Sequence, residues 1–114
     1  MAEIVWQCTE ESTPQRVSEG ISVRPLWQGE LSSRAMVVEI EPGAKWDGID
    51  SHDDNSEEVF VISGVFNDGV RDYPAGTFIH HPIGSSHVPQ SATGCRLFIF
   101  YPETTNSLRP ATAS

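Results

Sequence analysis

Gly76-Thr77-Phe78-Ile79-His80-His81-Pro82-Ile83-Gly84-Ser85-Ser86-His87 is the stretch whose reading decides how this chain folds. Gly76 follows Pro74-Ala75 and turns the chain into a short strand. Pro82 presets a backbone angle that suits a turn, and Gly84 tolerates the left-handed angle that completes one. A strand ending in so tight a turn would aim the side chain of His87 back into the mouth of a sheet. The spacing Gly-x5-Pro-x-Gly-x2-His therefore predicts a strand, a turn and an inward histidine.

Working outward, similar punctuation recurs on both sides. Residues 21–27 alternate and stop at Gly29, and residues 34–40 carry β-branched side chains up to Glu41-Pro42-Gly43. Residues 57–64 run apolar into Gly64. A short strand, an Asn67-Asp68-Gly69 turn and another short strand lead back to Gly76. CRLFIFYP at 95–102 is the last strand. Many short strands with closely spaced turn signals, and no helical periodicity, predict an all-β sandwich or barrel. At 114 residues the chain is read as one domain, 1–114, with a core of about 20–102 and flexible N- and C-terminal tails.

Composition narrows the partners. Sixteen acidic residues against seven basic ones give a net charge of −9, and Lys45 is the lone lysine. Nucleic-acid binding draws on clustered cations, which this chain lacks, and an anionic membrane surface is disfavoured for the same reason. No apolar stretch reaches the roughly 20 residues a membrane helix needs, and no basic-then-apolar leader is visible, so the expectation is a cytoplasmic protein. Cys8 and Cys95 show neither disulfide-framework nor zinc-site spacing; Cys95 opens an apolar run and reads as a buried thiol. There is no G-x-S-x-G elbow and no phosphate-cradling glycine loop.

The 76–87 stretch resembles the second motif of the cupin superfamily, G-x5-P-x-G-x2-H-x3-N, at every position but the last, where Ser91 stands for Asn. The first motif, G-x5-H-x-H-x(3,4)-E-x6-G, is present in altered form. Gly43 opens it, Gly64 closes it, and counting back from Gly64 lands on Glu57. In place of the histidine pair stands Asp50-Ser51-His52-Asp53-Asp54. One alignment puts Asp50 at the first histidine and His52 at the second. The other reads His52 first and Asp54 second, and strand alternation gives residues 50, 52 and 54 the same facing. Residues 43–87 are also similar to the small cupins related to the C-terminal domain of the ChrR anti-sigma factor. The resemblance implies an RmlC-like jelly-roll barrel, commonly a homodimer, with one divalent metal held by histidine and carboxylate side chains. Some members of that neighbourhood are metal-dependent dioxygenases acting on β-diketones or hydroxyacetophenones.

On these motifs His52, Glu57, His87 and Asp50 are the candidate metal ligands. Two imidazoles and a carboxylate form the facial set associated with non-haem Fe(II). An added Asp50 or Asp54 hardens the site toward Fe or Mn, with Zn or Ni as alternatives. Glu57 is also a candidate catalytic carboxylate. Adjacent strand residues face opposite ways, so at most one of His80 and His81 looks inward. His80 is carried as the candidate general base or outer-shell donor, against an ordinary strand histidine at the surface or a subunit interface. Trp46, just ahead of the ligands, is expected to line the pocket, and the remaining aromatics to fill the core or a dimer interface. Arg24, Arg34 and Arg96 are either carboxylate-binding groups or surface ion-pair partners. Two functions follow: a metal-dependent enzyme acting on a small carbonyl or enol substrate, by oxygenase or by isomerase/lyase chemistry, or a non-catalytic sensor or accessory cupin.

Overall fold

Every paired strand runs antiparallel to its neighbour, so short turns suffice to connect the sheet. The computed structural model describes residues 2–52 and 55–102. Its strands are β1 (Gln15–Ser18), β2 (Ile21–Gln28), β3 (Arg34–Ile40), β4 (Asp50–Ser51), β5 (Glu57–Asn67), β6 (Asp72–Pro74), β7 (Phe78–His81), β8 (Ser86–His87) and β9 (Cys95–Tyr101). A 3-10 turn at Thr9–Glu11 precedes them. The main sheet runs β1-β2-β3-β9-β5-β6, with β7 also pairing β5, across from β9, and β4-β8 as a separate pair. This is the all-β architecture that the turn spacing predicts.

Period-two alternation sorts the side chains. Along β9, Cys95, Leu97 and Ile99 point into the barrel while Arg96, Phe98 and Phe100 alternate with them. The inward rows of β2, β3, β5, β7 and β9 meet in one cluster that includes Ile21, Val38, Ile40, Val61, Phe66 and Leu97. Each such side chain stabilises the fold by about 1.5–3 kcal/mol through burial. Cys95 is buried and free, as its apolar setting predicts, and Cys8 is exposed.

The glycine that closes the first motif has a packing reason. β5 bulges between Val61 and Ser63, and Gly64 follows at φ +75°. A Cβ there would lie 2.0 Å from the carbonyl oxygen of Gly94, so no side chain fits. The bulge changes the phase of β5, which lets Glu57, Val59 and Phe66 all face inward from one strand.

Residues 9–12 of the N-terminal segment are tied to the sheet. Arg24 donates to the carbonyls of Thr9 and Ser12, Arg96 pairs with Glu10, and the buried Ser12 hydroxyl donates to the Pro25 carbonyl. Strand β1 then joins the sheet ahead of residue 20. The C-terminal stretch 103–114 lies outside the described residues.

Candidate metal centre

Register brings the site together. Glu57, the first residue of β5, lies opposite His81 of β7, and Asp50 of β4 lies opposite His87 of β8. His52, one residue beyond β4, is held by the turn that ends β7. Its amide donates to the Ser85 carbonyl at 2.9 Å, and its carbonyl accepts from Gly84 N–H at 2.6 Å. Gly84 adopts φ +91° there, and the Ser85 amide and hydroxyl both donate to the Pro82 carbonyl. The Pro82–Gly84 turn thus places His87 as expected and fixes His52 beside it.

Three of the four histidines converge on Glu57. His52, Glu57, His81 and His87 are all buried, with potential ligand atoms within 4.8 Å of one another. Glu57 Oε1 lies 3.2 Å from His52 Nε2, 3.3 Å from His81 Nδ1 and 3.4 Å from His87 Nε2. The two Nε2 atoms of His52 and His87 are 2.9 Å apart. The His81 and His87 rings stack at 4.3 Å between centroids. Tyr101, at the end of the inward row of β9, donates its hydroxyl to Glu57 Oε2.

These groups fit a metal better than they fit each other. Glu57 Oε1 and both nitrogens of His81 are buried without a hydrogen-bond partner, which normally carries a substantial desolvation cost. Ligands held at about 2.1 Å from a central ion lie roughly 3.0 Å apart at right angles and roughly 3.4 Å apart in a tetrahedron. The three separations from Glu57 Oε1 to the imidazoles, 3.2, 3.3 and 3.4 Å, fall in that interval, and the 2.9 Å between the His52 and His87 Nε2 atoms lies just below it. Three imidazoles with one carboxylate are a donor set that suits a first-row divalent ion.

The electrostatics agree. Burial alone would raise the Glu57 carboxyl, yet the three imidazoles and the Tyr101 hydroxyl hold it well below the usual carboxylate range. Burial would lower His87, but Asp50 and Glu57 push it up to about 9. Tyr101 is raised strongly by burial and by the Glu57 charge, so it remains a hydroxyl donor.

The expected residues divide as follows. His52, Glu57 and His87 come together. Asp50 stands at the rim, its Oδ2 3.3 Å from His87 Nε2 and 3.8 Å from His52 Nε2, and its side chain is one-third exposed. Asp54 lies outside the described residues. His80 does not face the site: it is on the outer surface, bonded to Glu58 Oε1 at 2.7 Å, across from Glu58 in the strand register. Its neighbour His81 takes the inward place and supplies a third imidazole where the first motif has only Asp50 and His52. The sequence leaves open which of His80 and His81 turns inward and gives Tyr101 only the place of a core or interface aromatic. The alternation of Cys95, Leu97, Ile99 and Tyr101 carried a signal for the tyrosine. Phe78 and Ile79 are equally apolar, so nothing local set the phase of β7.

Ser91, at the position of the motif's Asn, is buried and tied to backbone: its hydroxyl donates to Val65 O, and its amide and carbonyl bond Ala44 and Gly43. The substitution serves the loop packing. Arg24 and Arg96 are bound to Glu39, as surface ion pairs, whereas Arg34 lies 4.0 Å over the Tyr101 ring.

The cluster separates two spaces of different character. Inside the barrel is a cavity of about 180 Å³, walled mainly by apolar side chains that include Val23, Met36, Val38, Trp46 and Leu97, with Asp50, Glu57, His87 and Tyr101 at one end. Toward the surface is a polar recess of about 240 Å³ that includes Ser32, Arg34, Asp50, Ser51, His52, Asn55 and Tyr101. Trp46 lines the cavity as its place in the sequence suggested. Among the described residues, no helix is long and apolar enough to cross a membrane.

Comparison with solved structures places this arrangement in a known fold. An RmlC-like cupin from Shewanella frigidimarina NCIMB 400 superposes with a TM-score of 0.76 at 19% identity, over 94% of this chain and 97% of that one. The polyketide cyclase RemF from Streptomyces resistomycificus gives a TM-score of 0.73 at 17% identity, over 90% and 80%. The anti-sigma ChrR, in its complex with SigE from Rhodobacter sphaeroides, gives 0.69 at 18% identity, over 84% and 52%. No curated protein matches in sequence. Residues 2–104 match the family described as the ChrR Cupin-like domain, and the chain belongs to that family.

Proposed function

We propose that this protein is a metal-dependent cupin enzyme acting on a small, neutral carbonyl or enol compound. The observation that carries the proposal is the buried His52, Glu57, His81, His87 set, of which Glu57 and His87 line an otherwise mainly apolar cavity. No arginine or lysine lines that cavity, so a multiply charged substrate would lose its hydration without gaining a counter-charge there.

His52, Glu57, His81 and His87 would hold the ion, with Fe favoured, Mn next, and Zn or Ni as alternatives. When bound, such an ion polarises a carbonyl or enolate oxygen as a Lewis acid and can support oxygenase or isomerase/lyase chemistry. The protein's own contributions are distinct. Tyr101 fixes the orientation of Glu57 through its hydroxyl. Val23, Met36, Val38 and Leu97 exclude water around the apolar body of the substrate. Asp50 borders both spaces and is the carboxylate best placed to accept a proton from an enol hydroxyl at the cavity's polar end.

The test is metal content per chain, followed by His87→Ala and turnover of neutral dicarbonyl compounds with O2 uptake recorded. Near-stoichiometric metal that is lost in His87→Ala, with turnover only in the parent protein, is expected. Full metal retention in the variant would overturn the site. A second reading, a metal-binding sensor, draws on the family relation to ChrR. It predicts metal uptake with no turnover of any such compound.

A further inference from the structure

Of Arg24, Arg34 and Arg96, only Arg34 is left without a carboxylate among the described residues, since the other two both bind Glu39. Its guanidinium is nevertheless held in place. It lies 4.0 Å over the Tyr101 ring, and Nη1 donates to the Ser32 carbonyl at 2.9 Å. Ser32 sits at φ +71° after Leu31 at φ +53°, so the turn that presents this carbonyl keeps two non-glycine residues in the left-handed region. A guanidinium carries five N–H donors in a planar fork. Stacking fixes the plane, and among the described residues only one of those donors is used.

Arg34 lines the polar recess on the surface side of the cluster, together with Ser32, Ser51, His52, Asn55 and Tyr101. Asn55 supplies a second, independent sign of a missing partner. It is 9% exposed, and its Nδ2 is buried with no hydrogen-bond partner among the described residues. A buried amide left in that condition is costly, and an acceptor is what relieves it. One carboxylate borders the recess, that of Asp50, but its Oδ2 is turned to the imidazoles, 3.3 Å from His87 Nε2 and 3.8 Å from His52 Nε2. The recess therefore presents a guanidinium edge, an amide and two serine hydroxyls with no acceptor matched to them.

We infer that this recess is a binding site for a small monocarboxylate, seated on the edge of the Arg34 guanidinium and within reach of Asn55 Nδ2. A planar anion with two oxygens matches the paired donors of a guanidinium. Arg34 is the only arginine or lysine that lines the recess, which favours one negative charge over two. A volume of about 240 Å³ leaves room for an acid of a few carbons. His52 belongs both to the recess and to the metal cluster, so the carboxylate is held on the side of the cluster away from the apolar cavity. This is a second ligand site beside the one for the neutral compound, and its donors do not depend on the ion.

Acetate titrated into the isotopically labelled full chain, as purified and again after chelation of metal, tests the site by NMR. Saturable shifts of the Asn55 side-chain amide and of the Arg34 Nε–H are expected in both preparations, with a dissociation constant of about 1 mM. Acetamide, which keeps the shape without the charge, should bind at least about tenfold more weakly. Arg34→Met keeps an apolar stem over Tyr101 and should weaken acetate at least about tenfold. Arg34→Lys keeps the charge but loses the fork, so its loss should be smaller; it also guards against a methionine variant that fails to fold. Arg16→Met, outside the recess, should change nothing. The inference is overturned by acetate shifts that do not saturate, or by an affinity that both Arg34 variants leave unchanged. Binding that vanishes with the metal also overturns it, because the ion would then be the attractor. Whether His52, Glu57, His81 and His87 hold an ion is read separately from metal content, so failure of one reading is not failure of the other.

Discussion

Two carboxylate–histidine pairs sit side by side on the same two strands and meet opposite fates. Glu58 and His80 face outward; they bond at 2.7 Å, and His80 is mostly exposed. Glu57 and His81 face inward one residue away. They are buried, their atoms approach at 3.3 Å, and Glu57 Oε1 and the imidazole nitrogens lack hydrogen-bond partners. The residue types are the same and so is the cross-strand register. What differs is the dielectric and the company. Outside, water solvates whatever the pair leaves unmatched, and such a pair contributes little. Inside, two further imidazoles and a tyrosine hydroxyl crowd the same carboxylate, and the four buried side chains form a group that could hold a metal ion. Facing decides chemistry here; residue identity does not.

The sharpest way to break this contrast is to remove each histidine in turn. His81→Ala should lower metal affinity by at least about 100-fold, beyond the 10–100-fold typical of losing an outer partner. His80→Ala should leave metal binding unchanged and shift stability by no more than about 0.5 kcal/mol. Isothermal titration of the metal into both variants, with thermal melts alongside, reads the difference. Equal losses in the two would show that the strands are phased otherwise.

A smaller effect is expected one step out from the cluster. Tyr101→Phe removes the hydroxyl that orients Glu57 but leaves the ring under Arg34, and should weaken metal binding by about 10–100-fold. An unchanged affinity would mean that Glu57 holds its rotamer through packing alone.

The mildest handle is pH. In the metal-free protein His87 keeps its proton up to about 9 because Asp50 and Glu57 face it. A metal must displace that proton, so its apparent affinity should rise about tenfold per pH unit and level off near 9. The same proton stabilises the metal-free fold below the ordinary imidazole pKa of about 6.5, and that stabilisation is lost as pH rises through about 9. Binding that is flat between pH 6 and 9 would argue that His87 is already neutral and outside the coordinating set.

Much of the site could be read along the chain because its positions are set by local geometry. Gly76, Pro82, Gly84 and His87 keep a spacing that only a strand and tight turn can use, and the structure places His87 accordingly. Glu57 follows from Gly64, whose lack of a side chain is forced by the carbonyl of Gly94. His52 lies in a polar run of aspartates, and its role shows only once the Gly84–Ser85 turn is seen to bind it. The N-terminal segment was harder still, since its anchoring depends on Arg24 and Arg96 from distant strands.

By itself, then, the sequence determined the all-β class, the turns, and two members of the candidate site, Glu57 and His87, carried by motif spacing, because these depend on backbone angles within a few residues. Tertiary structure alone decided that His81 faces the cluster while His80 faces water. It also brought Tyr101 against Glu57 over 44 residues of chain and set Asp50 at the rim. Those outcomes depend on strand phase and register, and in a sheet these are set by partners remote in sequence: β5 holds β7 in phase, and β9 delivers the tyrosine.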